Sequence, residues 1–452
     1  MRASKCMGLI VAVLLAAGCS SSDDSGGSSG DPSGTTKPGA RGEPGPTTGL
    51  TATTMRVAFM VPDFGALEGS GLVPDLGDVE KQVQAYVDHV NDGGGIAGRQ
   101  IEASYHTFDP ADFSGKTSQA ACIEATEEGK VFAVVGMPSW QPLGTLCVGA
   151  EHRTPIISQT EVTPEILKRT GGRAFSIGMD FTRQYEGWVS ILDELGELDG
   201  KTVGIITGED NTSGVEAVEQ GLEPALAKAG HEVAEKVVLP CAGLTCEQHE
   251  GAVERFRRAG VDYVFDALTA VASPTFIQAA DAAGYHPEFT FANTLIVDTV
   301  ANFHKNVASV IDGMLGVGSY SPPNPGQPVE EDTFTTECNE IFAESVNVDR
   351  HPPGSDAAGM TNAGCVMIEI LKRGAEAVDE LGQDSLVAGI EGIGELRLAP
   401  PVTDTPCTPV DRVGSLGPDK HDLENWLNVL EFDGATSQFL RPEQCRFFEI
   451  AN

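Results

Sequence analysis

A repeated alternation of short apolar strands with amphipathic helices constrains this chain most. Met55–Val61 (MRVAFMV) is a β-branched apolar run, and Val79–Asn91 has helical spacing with Val79, Val83, Tyr86, Val87 and Val90 on one side. That helix ends at Gly93-Gly94-Gly95, where glycines supply the positive φ that stops it. Arg99–Phe108 reads as strand, Ser114–Glu128 as helix, Val131–Gly136 as buried strand, Gly144–His152 as helix and Pro155–Ser158 as strand. The rhythm restarts after Arg183, with helix to about Leu195 and then strand Thr202–Thr207, helix Gly214–Ala229 and strand His231–Leu239. Helix Glu247–Ala259, strand Val261–Asp266, helix Pro274–Ala283 and strand Glu288–Ala292 complete it. Apolar strands alternating with helices imply parallel sheets covered on both faces. Two such runs predict an α/β protein of two doubly wound lobes.

The N-terminal end has a different character. Arg2 and Lys5 precede an apolar run from Met7 to Ala17, too short to span a bilayer and shaped like a secretory signal over residues 1–18. Ala16-Ala17-Gly18-Cys19 resembles a bacterial lipobox, although Leu15 stands one place earlier than the usual Leu. Cys19 is therefore expected to be lipidated, holding the protein on the extracytoplasmic face of a bacterial membrane. Ser20–Gly49 is rich in Ser, Gly, Pro, Thr and Asp, so residues 19–52 read as lipidated Cys plus flexible tether. Net charge is -37, and loss of Arg2 and Lys5 with the signal takes it to -39. Such a polyanion argues against nucleic acid or anionic lipid as a partner.

Leaving aside Cys6 and Cys19, eight cysteines remain, and outside the cytoplasm an even count reads as a disulfide framework. Many connectivities are open; sequential pairing, Cys122–Cys147, Cys241–Cys246, Cys338–Cys365 and Cys407–Cys445, would close local loops. Cys241-x4-Cys246 is too wide for the usual zinc knuckle, so no metal is expected. The nine histidines show no i, i+4 pair. Outside the Gly/Ser tether there is no G-x-S-x-G elbow, and no H-E-x-x-H helix or G-x-x-x-x-G-K-[ST] phosphate loop occurs. The chain is read as a non-enzyme without cofactor; a hydrolase with a carboxylate pair hidden among 66 acids is the remote alternative.

From Val87 to Glu102 the sequence VDHVNDGGGIAGRQIE resembles the N-x-x-GGI-x-GR-x-I signature of type I periplasmic binding proteins, the branched-chain amino-acid and amide-binding receptors of ABC importers. Asp109-Pro110, VFAVVGMPSW, TPIISQTEVTPE and KTVGIITGEDNTSG match further segments in the family's order, with similarity clear from about Thr53 to Val300. The resemblance implies two lobes joined by three crossovers, with ligand closed between them. Lobe one would take residues 53–178 plus about 320–385, and lobe two residues 183–315 plus about 390–452. A Pro/Gly/Asp-rich loop at Pro400–Lys420 looks like an insertion.

The resemblance also implies site residues at the carboxyl ends of the strands, where helix N-termini point N–H groups at a ligand. Ser139 would hold a carboxylate or amide and Trp140 would form an apolar wall. Gln159, Thr160 and Glu161 follow the next strand, and Glu209, Asp210, Asn211 and Ser213 follow the strand that opens lobe two. Ser213 stands where amino-acid-binding relatives often carry an aromatic. Thr269 and Thr294 complete the set, with Asp63 and Phe64 beyond the first strand, and Glu161, Asp210 or Asp298 could hold an ammonium. For these turn residues, ordinary capping by Ser, Thr, Asn and Asp is the competing explanation. The expected function is a monomeric solute-binding lipoprotein delivering a small polar ligand, an amino acid, amide or similar, to an ABC permease. The alternative is a lipid-anchored sensor presenting the same clamp to a membrane signalling partner.

Overall fold

The structure is a computed structural model. It describes residues 45–70, 73–110, 112, 114–136, 142–159, 162–209, 212–242, 245–292, 297–319, 333–347, 349–352, 355–397, 413–442 and 447–450. The signal segment, Cys19, most of the tether, and Cys407 and Cys445 lie outside these residues.

Five strands form the first sheet: β1 (Thr54–Pro62), β2 (Gln100–Phe108), β3 (Ala133–Gly136), β4 (Ile156–Ser158) and β5 (Ala174–Ser176), in the order β2-β1-β3-β4-β5. All four pairings are parallel. The second sheet starts with β6 (Val203–Gly208) and β7 (Val233–Leu239); a two-residue ladder, β8 (Cys241–Ala242) with β9 (Thr245–Cys246), stands apart. β10 (Tyr263–Ala267), β11 (Glu288–Ala292) and β12 (Leu315–Gly318) continue the sheet. After a hairpin of β13 (Gly394–Arg397) and β14 (Val413–Leu416), the strands β15 (Trp426–Asp433), β16 (Gln438–Leu440) and β17 (Phe447–Glu449) return to it antiparallel. The expected α/β architecture with two helix-covered parallel sheets is present.

Each sheet buries both faces, which is why its strands read as continuous apolar runs rather than alternating ones. On the first sheet, Val57, Phe59 and Val135 pack with the helix Val79–Asp92 and the later helices Thr333–Val346, Asp356–Glu376 and Gln383–Glu391. Ala58, Met60 and Val134 face the opposite cluster with Cys122, Cys147 and Ile166. On the second sheet Ile205 and Phe265 pack against Trp188, while Ile206 and Val264 pack against Phe256 and Phe276. Two glycines are fixed by geometry. Gly95 has φ +75°, and a Cβ there would meet the Arg99 carbonyl oxygen at 2.0 Å; at Gly136 a Cβ would meet the Met60 carbonyl oxygen at 2.5 Å.

Several details depart from the sequence reading. Residues 45–50 are docked rather than free: Gln383 N–H donates to the Pro46 carbonyl at 3.0 Å, Arg56 N–H to the Gly49 carbonyl at 2.8 Å, and Leu50 packs on the first core. The helix Pro164–Thr170 and strand β5 are additional elements, the helix capped by Thr163 with Pro164 at its start. The β13–β14 hairpin belongs with the first core through Leu396 and Leu416, so the second sheet resumes at Trp426, not near residue 390.

Disulfides Cys122–Cys147, Cys241–Cys246 and Cys338–Cys365 are formed, the sequential pairing. His152 lies beside the first, but a disulfide offers no thiolate to a metal. No described helix is long and apolar enough to cross a membrane.

The chain crosses between the sheets at residues 177–180 and again at 417–425, and the two passages touch. Ser176 N–H donates to the His421 carbonyl and Leu423 N–H to the Ser176 carbonyl. His421 stacks on Phe175 with ring centroids 4.2 Å apart. Asp422 accepts from the Asp180 N–H at 2.8 Å and from the Arg183 guanidinium, which also reaches the Ile450 carbonyl. Arg183 thus ties the start of the second lobe's first helix to the returning segment and to the end of the described chain.

Candidate functional site at the strand ends

Parallel register brings the carboxyl ends of the strands side by side. Met60, Gly136, Ser158 and Ser176 form one row across the first sheet, and Thr207 pairs with Ala267 in the second. The segments that leave these ends are where the sequence placed its candidates. Ser139, Trp140, Thr160, Glu161, Asp210, Asn211 and Thr294 lie outside the described residues. Ser213 lies within the helix Thr212–Ala217, and its side chain, like that of Asp298, is outside the description.

Gln159 is placed where expected, directly after β4. It is 5% exposed, its N–H donates to the Gly136 carbonyl at 3.2 Å, and its side-chain oxygen is buried with no hydrogen-bond partner among the described residues. A buried acceptor left unpaired costs about 1–3 kcal/mol, so Gln159 offers a waiting acceptor near the strand end. Thr269 holds the turn that leads into the helix Ser273–Ala282: its hydroxyl oxygen accepts from the Ala272 N–H at 3.2 Å, and its carbonyl accepts from the Ala272 and Ser273 N–H groups. Asp63 likewise accepts from the Gly65 N–H, and Phe64 packs with Leu76 and Met360. Glu209 is exposed, and its N–H donates to the Leu239 carbonyl.

Two residues that sequence reasoning passed over connect the sheets' facing ends. Thr163 caps the helix Pro164–Thr170, which packs on the first sheet; Glu216 lies in the helix Thr212–Ala217, which follows β6 of the second. The Thr163 hydroxyl donates to Glu216 Oε2 at 3.2 Å while its oxygen accepts the capped N–H of Ile166 at 3.3 Å. Glu216 Oε1 is buried with no hydrogen-bond partner among the described residues. In sequence Thr163 is only a cap signal and Glu216 one acid among many. Their meeting depends on how the two halves stand, which no local pattern encodes. A separate cavity of about 40 Å³ under the ends of β1 and β3 is lined by apolar side chains including Met60, Leu76, Phe342 and Met360. That is room for a few waters.

The model of the family described as periplasmic binding protein matches residues 65–433. This chain belongs to that family. Solved structures agree in fold. A branched-chain amino acid ABC transporter protein from Thermus thermophilus with bound valine superposes with TM-score 0.60 at 15% identity, covering 86% of this chain and 95% of that one. An ABC transporter substrate-binding protein from Desulfitobacterium hafniense in complex with Leu gives TM-score 0.57 at 15% identity, over 87% and 100% of the two chains. A solute-binding protein of an ABC transporter from R. palustris in complex with 4-hydroxybenzoate gives 0.58 at 16% identity, over 88% and 98%. No curated protein sequence is similar enough to count as a match. The fold and the family thus agree with the resemblance carried by the GGI-x-GR segment.

Proposed function

We propose that this periplasmic binding protein is a lipid-anchored, extracytoplasmic receptor that closes its two lobes on a small carboxylic acid and delivers it to an ABC permease. The observation that carries the reading is the Thr163–Glu216 hydrogen bond, made between segments at the facing strand ends of two separate sheets. A clamp of this kind needs few such bonds, so that a ligand's own contacts decide whether it shuts. The ligand class follows from what the similar structures hold: leucine and valine are homologous amino acids, 4-hydroxybenzoate has no ammonium, and the carboxylate is what all three share. In this chain Ser139 and neighbouring N–H groups would take the carboxylate, and Trp140 would cover the apolar part. Cys19 would carry the lipid, and residues up to about 44 the tether. The protein binds and releases its ligand unchanged.

A thermal-shift series tests this with leucine, valine, 4-hydroxybenzoate and the matching amines or phenol lacking the carboxylate. A ligand at about 100 times its Kd adds roughly 2.7 kcal/mol to folded-state stability. Saturable shifts are expected for one or more carboxylates and not for their decarboxylated partners. Equal shifts with and without the carboxylate, or no shift from any acid in the series, would overturn the assignment.

A further inference from the structure

Behind the strand ends of the second sheet lies a buried polar cluster. Asp266 near the end of β10, Ser273 at the start of the helix Ser273–Ala282, and His304 at the end of the helix Val297–His304 are all 1% exposed or less. Ser273 Oγ is 2.6 Å from Asp266 Oδ2 and 2.9 Å from His304 Nε2. His304 Nδ1 is 2.8 Å from the Val300 carbonyl, and Asp266 Oδ1 accepts the Leu268 N–H at 3.1 Å.

Counting hydrogens along this chain fixes its charge state. A carbonyl only accepts, so His304 Nδ1 carries a proton. Ser273 has one hydroxyl hydrogen and two polar neighbours, so the second short contact needs a hydrogen from Asp266 or from His304 Nε2. Either way the Asp–His pair holds one proton and is net neutral. Without it, two lone pairs face each other and a carboxylate is buried uncompensated, which is costly. Burial raises Asp266 to about 6 and lowers His304 to about 4, which places the proton on Asp266 between about pH 4 and 6. The other side chain in ring contact with His304 is Phe291, at 6.0 Å. Lys305, next in sequence, is exposed, and among the described residues no further charged group acts on either member.

We propose that Asp266, Ser273 and His304 form a one-proton lock tying the turn after β10 to the helix after β11, so that these strand-end segments keep their arrangement while the proton is bound. Because Asp266 is raised and His304 lowered, folding moves the proton from the histidine to the aspartate. Their contributions to the pH dependence of stability cancel in the wild type. Each variant exposes one half. With Asp266→Asn, whose amide donates to Ser273 permanently, only the depressed His304 remains; the unfolded chain then binds the extra proton and stability rises with pH. With His304→Gln, only the raised Asp266 remains, and stability falls as pH rises.

The test is denaturant unfolding of the full chain and both variants between about pH 4 and 8. Relative to wild type, the folding constant should rise for Asp266→Asn and fall for His304→Gln, each by on the order of a hundredfold across the window. A variant whose stability runs parallel to wild type would overturn the lock. Should His304→Gln not fold, Asp266→Asn decides alone: its folding constant should rise relative to wild type by on the order of a hundredfold between about pH 4 and 8, and a course parallel to wild type would overturn the lock. The outcome does not depend on which ligand the cleft takes.

Discussion

Single residues carry specific, separable effects. Trp188 is fully buried, its ring packs edge-on to Phe265 at 4.8 Å, and its N–H donates to the Thr290 hydroxyl at 2.9 Å. Trp188→Ala should cost about 3–5 kcal/mol in denaturant unfolding. Asp180 caps the helix Phe181–Leu195 through Oδ1, which accepts the Arg183 N–H at 3.0 Å. Burial, reinforced by Asp422, raises its carboxyl to about 7. A raised carboxyl gives stability that is present in full below the unfolded value of 3.8 and is lost as pH climbs through 7. Asp180→Asn keeps the capping oxygen and removes the charge, so it should flatten this loss; a melting series across pH 4 to 7 reads the difference.

At the scale of elements, much was legible because the signals are local. The strand and helix sequence from Met55 to Ala292 follows from apolar period and glycine punctuation, and the GGI turn is fixed by Gly95, which no larger residue could replace. What escaped was set by distant partners. β5 is three residues long and is recognisable only by its pairing with β4 and with the returning segment at Asp422. The hairpin β13–β14 joins the first core because Leu396 and Leu416 find apolar neighbours there, a choice invisible in its own sequence. For Thr269 a ligand contact and a turn hydrogen bond were both open readings; the turn bond is made, and both uses draw on the same residue types. Of the candidate site, the position of Gln159 just after a strand was legible and its burial was not, and Glu216 had no distinguishing mark. Cross-links were readable from cysteine order. Cys122–Cys147 pins the helix beginning at Lys116 to the one beginning at Leu143 across 25 residues. Replacing both cysteines by Ala should lower stability by roughly 3 kcal/mol, measurable by denaturant unfolding without reductant.

For the whole molecule, the two sheets are held by crossovers rather than by a broad shared core. Asp422, Arg183 and His421 fasten the crossing segments at one side, and Thr163 with Glu216 joins facing ends at the other. Opening and closing would leave the first set intact and break the second. Glu216→Ala removes the cross-lobe acceptor without touching the Thr163 cap; a loss of about 1 kcal/mol from the closed form should weaken ligand binding roughly fivefold while the ligand-free melting point changes little. Solution X-ray scattering bears most directly on the clamp, with a carboxylate that gives a saturable thermal shift titrated into wild type and Glu216→Ala. The radius of gyration should fall as ligand saturates the wild type, with the same end point reached at higher ligand concentration in the variant. A ligand that stabilises the protein yet leaves the radius unchanged would place its site away from the cleft and contradict the clamp.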